Sequence, residues 1–422
     1  MTVPSNQKMT ANQNRPVGAP PGDTEYSRWR ALLAGRRLPL AVVDLDAFDR
    51  NLRRVVDFAR GKPIRLATKS IRVPELIGRA LKSGPAFRGL MCYSAEEAVI
   101  LADLGFNDLL VAYPTVQPSD LSLLRNLHEK GRSVALVVDS KAQMAAVAKA
   151  LQGCRTPFRI VIEMDMSLHL FSGLLHLGVR RSPNRTVADL ERVINHARPL
   201  PELKIAGVMG YEAQVAGLTD RNPFKRLINP IAGWIRSISM KRVARFRAQI
   251  ARTLSAQGIS PEIFNGGGTG SLNFAAGEEA LTEVTAGSAL FCPHLFDYFS
   301  NIQFEPACFF ALQAVRMSDE GFVTCQGGGY IASGEPGWDR VPLPHLPRGL
   351  ELISTEACGE VQTPLRLSRE AKDAGINIGD PILFRHAKAG ELMERFEECL
   401  LVSDGKVVGT ARTYRGLNRC FF

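Results

Sequence analysis

At 422 residues, with 45% apolar and 22% charged side chains, the chain has the composition of an ordinary globular protein and the length for two domains. Its 52 Lys and Arg against 42 Asp and Glu leave a formal charge of +10. The basic residues are spread along the chain, which points to small anionic ligands rather than to a nucleic-acid or membrane surface.

Eight scattered cysteines without a C-x-x-C pair argue against a disulfide framework or zinc ribbon and fit free thiols in a reducing cytoplasm. No apolar run approaches the ~20 residues of a membrane span. The chain is expected to be cytoplasmic, with no nucleic-acid or membrane partner.

Residues 1–37 begin polar and rich in Pro, Asn and Gln, lack the apolar core of a signal peptide, and are expected to be disordered. From Leu38 short apolar runs alternate with amphipathic segments. LPLAVVDLDAF, PIRLATKS, FRGLMCYS, DLLVAYPTV, SVALVVDS, FRIVIEMDM, KIAGVMGY and ISPEIFNGG read as strands, most of them followed by a helix. Repeated βα units imply a parallel sheet with right-handed crossovers, and eight of them in about 250 residues fit a closed (β/α)₈ TIM barrel, assigned to 38–295.

The basic stretch Arg221 to Arg252 reads as an outer helix of that barrel with a solvated basic face. From 296 to 422 short strands such as FFALQAVRM, GFVTCQGGG and DPILFRHA give a C-terminal β domain, with a hairpin signal at VSDGKVV.

In a barrel the functional residues sit at the C-terminal ends of strands. Lys69, Cys92, Tyr113, Asp139, Asp165 and Tyr211 all fall there. A strand-end lysine among other cations can be deprotonated and attack an aldehyde. FNGGGTGS, after a late strand, carries glycines that let backbone N–H groups approach an anion, with Thr269 and Ser271 adding hydroxyls. It lacks the G-K-[ST] of a Walker loop and the spaced glycines of a dinucleotide fingerprint. A lysine near the start of the barrel and a phosphate cradle near its end are what pyridoxal 5'-phosphate requires.

The order of motifs strengthens this. Arg65, Lys69, Arg72, Pro74 and Glu75 form R-x-x-x-K-x-x-[KR]-x-P-E; then come Cys92-Tyr-Ser-Ala-Glu-Glu97, Asp108-Leu-Leu-Val-Ala-Tyr-Pro114, Gly207-Val-Met-Gly-Tyr-Glu212, GGGTGS and Thr282 to Ser288. From Leu38 to Phe422 the chain resembles the D-threonine aldolase and D-serine dehydratase branch of the alanine-racemase-type enzymes. These are fold type III pyridoxal-phosphate proteins with a barrel and an appended β domain.

The resemblance implies a lyase acting on a D-amino acid, with a β-hydroxy substrate expected, through a Schiff base on Lys69. Arg65, His176, Tyr211, Gly267, Gly268, Thr269, Gly270 and Ser288 would then contact the cofactor. It also implies a homodimer in which His386 and Lys388, with Glu391, complete a site beside the lysine.

The departures bear on the reaction. Where family members bind a divalent metal through His-x-Cys or His-x-Asp, this chain reads His386-Ala387-Lys388. A protonated lysine is a poor ligand and repels cations, so no metal is expected, with His386 and Glu391 as the residual candidates. His176 stands where the family often has Arg, and Gln214 where it commonly has His. Glutamine cannot take a proton, which leaves Lys69 as the leading base. The sequence leaves two alternatives open: a racemase, with Tyr330 as a candidate second base, and a non-catalytic carrier of the cofactor.

Overall fold

The computed structural model describes residues 24–170 and 175–421, which divide into two compact units. One comprises residues 52–221, 225–289 and 420–422; the other comprises 1–51, 222–224 and 290–419.

The first described element, the helix Thr24–Leu33, lies in the segment expected to be disordered and corrects that expectation in part. It buries Tyr26, Trp29 and Leu33, which fall on one face at helical spacing. Residues 1–23 lie outside the described residues. Next comes the strand β1 (Leu40–Asp44). It reads as a barrel strand, but it pairs antiparallel with Cys308–Ser318 and parallel with Glu398–Ser403 in the second unit's sheet. The barrel unit therefore starts at Leu52 and not at 38.

The barrel strands follow in chain order as β2 (Ile64–Ala67), β3 (Phe87–Cys92), β4 (Leu109–Val111), β5 (Val134–Val138) and β6 (Phe158–Glu163). A hairpin of β7 (Leu168–Leu170) and β8 (Leu175–Leu177) precedes β9 (Leu203–Met209), β10 (Ile263–Gly266) and β11 (Glu283–Ala286). The closed parallel order is β10-β11-β2-β3-β4-β5-β6-β9, eight strands as expected. The expected number is right because β11, read only as a motif, replaces β1. Leu110, Ala135, Val137, Val161, Ala206 and Ile263 form a sealed apolar cluster inside this barrel.

The basic stretch forms the helix Asn229–Ala256, but its basic face is not wholly solvated. Arg236 and Arg247 are buried, and Arg247 pairs with Glu212 and Glu278.

In the other unit the sheet order is Leu350–Leu352, Gln362–Leu367, Phe322–Gln326, Cys308–Ser318, β1, Glu398–Ser403, Lys406–Arg412. Pro381–Arg385 pairs with Cys308–Ser318 and with Leu343–Leu346. The VSDGKVV signal is a two-residue hairpin in which Ser403 faces Lys406, with Asp404 and Gly405 both at positive φ. The chain is thus an α/β protein: an eight-stranded parallel barrel followed by a mixed C-terminal sheet. No described helix is long and apolar enough to cross a membrane.

Candidate active site

Strand β2 ends at Ala67 and passes into a tight turn, Thr68–Ser70, that presents Lys69 half-buried at the C-terminal end of the barrel. The turn is pinned on both sides. The Thr68 hydroxyl donates to the Met91 carbonyl at 2.9 Å, and Ser70 Oγ lies 3.1 Å from Ser288 Oγ. Gly287, just after β11, makes this docking possible, since a Cβ there would stand 2.8 Å from the Ala67 oxygen. Lys69 Nζ donates to the Tyr113 hydroxyl at 2.6 Å, and Tyr113 follows the end of β4.

The glycine-rich loop follows β10, so the loop, Ser288 and Lys69 hang from three adjacent strands, β10, β11 and β2. Glu212, wholly buried beside Arg247, holds the loop from behind. Its carboxylate accepts from the Gly267 amide at 3.2 Å and from the Ser271 hydroxyl at 2.6 Å. The Gly268 amide donates to Ser271 Oγ at 3.2 Å, and Thr269 Oγ1 accepts from the Ala289 amide at 3.1 Å.

The Gly267 and Gly268 amides are thus taken, by Glu212 and by Ser271 respectively. The amides of Thr269 and Gly270 open the short turn Thr269–Ser271, where backbone N–H groups have no intrahelical acceptor. Tyr211 lies against the loop: a Cβ on Gly268 would come within 3.0 Å of its ring. Burial and then Glu212 push its phenol above the ordinary range, while Arg181 opposes the shift.

Across the barrel Glu163 ends β6 with 8% of its surface exposed. Burial pushes its carboxyl up to about 7, with Arg181 opposing and Asp139 and Asp165 adding to the rise. Burial raises Asp139 too. Arg181 therefore acts on both Glu163 and Tyr211, and Tyr113 acts on Tyr211 as well. These groups form one electrostatic neighbourhood that reaches back to Lys69.

His176 lies on β8 with its ring 4.6 Å from that of His169, and both its nitrogens are buried without a hydrogen-bond partner among the described residues. The longer segment before it is the β7–β8 hairpin, whose turn lies outside the described residues. The Gln214 amide nitrogen donates to the Met166 carbonyl at 2.6 Å.

Arg65, expected to contact the cofactor, is directed away from this group. Four residues before Lys69, it points into the lumen, where Nε and Nη2 meet Glu283 at 2.6 and 2.8 Å. Its Nη1 meets the carbonyl of Asp108, at the opposite end of the strands from Lys69, at 3.0 Å.

His386 and Lys388 belong to the sheet unit. His386 is buried, and its carbonyl accepts from the His294 amide at 3.0 Å. Lys388 Nζ lies 3.1 Å from Ser333 Oγ and 3.6 Å from Glu391, whose carboxylate also holds the Ser333 hydroxyl at 2.7 Å. Tyr330 packs edge-on against Phe310 and Phe396. Among the described residues no three His, Cys, Asp or Glu side chains are grouped to hold a metal.

The sequence placed Tyr113 at a strand end and Glu212 in a motif, but it showed neither the Tyr113 contact with Lys69 nor the Glu212 hold on the loop, and it did not single out Glu163. A carboxylate inside the apolar run IVIEM and a tyrosine directly after a strand were the available signals. Glu212 offered none beyond its place beside Tyr211, because its partners Arg247 and Ser271 are distant in sequence.

The family model for the alanine racemase N-terminal domain matches residues 43–294. The chain is 28% identical over 278 residues to a D-threonine aldolase of Arthrobacter sp, covering 65% of this chain and 64% of that protein. It is 25% identical over 258 residues to a 3-hydroxy-D-aspartate aldolase of Paracoccus denitrificans, covering 60% of each. These matches span under two thirds of either relative's length.

Among solved structures, a D-threonine aldolase from Filomicrobium marinum superposes with a TM-score of 0.77 at 21% identity, over 92% of this chain and 96% of that one. A D-threo-3-hydroxyaspartate dehydratase from Delftia sp. HT23 gives 0.73 at 20%, over 90% and 98%. At that identity the likeness concerns the fold. With the family model covering more than half of its length, the chain belongs to the alanine racemase N-terminal domain family.

Proposed function

We propose that the protein is a pyridoxal-phosphate-dependent lyase that acts on a D-amino acid bearing a β-hydroxyl group, with Lys69 carrying the cofactor. The observation that carries this reading is the hanging of the GGGTGS loop, Ser288 and Lys69 from three neighbouring strands. The donor set suits the group. An amine stands beside a tyrosine hydroxyl, the Thr269 and Gly270 amides suit a phosphate, and His176 keeps two buried nitrogens without partners among the described residues. The choice of substrate leans on the activities that name the aldolase relatives.

Pyridoxal phosphate, when bound, supplies an electron sink for negative charge at the substrate's Cα. The chain's own residues do the rest. The Thr269 and Gly270 amides hold the phosphate, with Glu212 and Arg247 fixing the loop that carries them. Lys69 is the general base, and its 2.6 Å contact with Tyr113 gives the proton at Nζ a path to a second oxygen. Glu163, raised to about 7, can hold or release a proton near neutrality on the facing side of the barrel. We further propose a homodimer, in which the His386, Lys388 and Glu391 cluster meets substrate.

The test is to load the protein with pyridoxal phosphate and follow its visible absorbance while adding D- and L-amino acids. A spectral change with D-β-hydroxy amino acids is expected. Release of an aldehyde and glycine identifies an aldolase; a keto acid and ammonia identify a dehydratase. An unchanged spectrum with every amino acid defeats the reading.

A further inference from the structure

The barrel unit contains a cavity of about 540 Å³ whose lining includes neither Lys69, Tyr113, Ser288 nor the glycine-rich loop, and which meets the group around Glu163 at Asp165. Its walls come from the segment after β6, the start of the helix Val187–Ala197, and one face of the helix Asn229–Ala256. The floor is apolar, formed by Met166, Leu168, Val243 and Phe246. Ser239, Val243 and Phe246 recur at helical spacing, so one stripe of the long helix faces the cavity.

The charge around this floor is one-sided. Arg185, Arg242 and Arg245 line the cavity against a single carboxylate, Asp165. Arg185 neutralises that carboxylate at 3.1 Å, and Arg242 gives one N–H to the His169 carbonyl at 3.2 Å. Among the described residues no carboxylate pairs with Arg242 or Arg245, which leaves two positive charges at the rim.

Two polar atoms deeper in are also unsatisfied. Ser239 is fully buried and Gln214 is 7% exposed, and neither Ser239 Oγ nor Gln214 Oε1 has a hydrogen-bond partner among the described residues. Buried polar groups are normally paired, and a lining atom without a partner marks a place where a ligand would supply one. The size is that of a small-molecule site.

We propose that this cavity binds a small organic anion separately from the Lys69 site: a carboxylate or phosphate monoester on a compact apolar frame that also carries an N–H or O–H donor. The anion meets Arg242 and Arg245 at the rim, the frame lies on Met166, Val243 and Phe246, and the donor satisfies Gln214 Oε1 or Ser239 Oγ. The proposal does not rest on the lyase reading, because the GGGTGS loop, Ser288 and Lys69 that carry that reading do not line the cavity.

The experiment is calorimetric titration of the full chain loaded with pyridoxal phosphate, using 4-hydroxybenzoate and, separately, 4-aminophenyl phosphate. Saturable binding of at least one probe is expected, and the tighter probe tells carboxylate from phosphate. The double variant Arg242→Ala/Arg245→Ala, which alters exposed side chains only, should weaken that binding about tenfold or more. Ser239→Val should weaken it less.

Lys69→Ala should bind the probe as the parent does. Absence of saturable binding by either probe up to about 10 mM overturns the proposal. So does binding unchanged in the double arginine variant, or binding lost in Lys69→Ala, which would locate the probe at the lysine.

Discussion

The lumen of the barrel and its mouth both collect polar side chains from neighbouring strands, and they treat them differently. In the lumen every nitrogen of Arg65 is hydrogen-bonded, and the Asn265 amide joins Glu283 to Thr285. The network closes on itself, and Arg65 is 2% exposed. At the mouth Lys69, Tyr113, Tyr211 and Asp139 are only half-buried, the His176 nitrogens have no partner among the described residues, and Glu163 is displaced to about 7. A structural polar cluster satisfies its members because each unpaired buried group is costly. A site for chemistry keeps some of them in reserve for a ligand.

That contrast can be broken most sharply at Lys69. Lys69→Ala should lower turnover of D-β-hydroxy amino acids by about 10³-fold or more while the unfolding midpoint stays near the parent's. Activity within tenfold of the parent would remove Lys69 from the chemistry. Arg65→Met should do the reverse: it strands Glu283 in the lumen and should cost about 3–5 kcal/mol of stability in denaturant unfolding. An unchanged midpoint would mean the lumen network is not structural.

Tyr113→Phe removes only the hydroxyl that accepts from Lys69 and should lower kcat about 10²-fold with a small change in KM. An unchanged kcat would leave that contact without a role.

The smallest expected effect concerns Glu163. Its carboxyl is raised from the ordinary 4.5 to about 7, so the folded state holds the proton more tightly than the unfolded chain does. The parent should therefore lose stability as pH rises through about 4.5 to 7, while Glu163→Gln should not. The variant should gain about 2 kcal/mol on the parent between pH 5 and pH 8 in parallel unfolding curves. Equal slopes with pH would show that Glu163 is not displaced.

Much of the barrel was legible because parallel strands covered by helices read as short, wholly apolar runs. Two strands were not assigned correctly by that pattern. LAVVD in β1 has the same apolar signature as VALVV in β5, and only its pairing with Cys308–Ser318 and Glu398–Ser403 puts it in the other sheet. EVTA in β11 is four residues long and carries Glu283 and Thr285 inward to Arg65 and Asn265, so its polar alternation hid a buried strand. The glycine loop was readable from composition, whereas the use of two of its amides by Glu212 and Ser271 was not.

By itself the sequence determined the repeated βα units, the lysine after β2, the glycine-rich loop after β10 and the β-rich C-terminal part, because each depends on residue types within a dozen positions. Tertiary structure decided which sheet β1 joins and that Arg65 turns down the lumen. It also decided that Glu212 spends its carboxylate on the loop and that Tyr113 meets Lys69. Those outcomes depend on partners tens to hundreds of residues away, and the energy that selects them, the pairing of buried charge and the closing of the barrel, has no local signature.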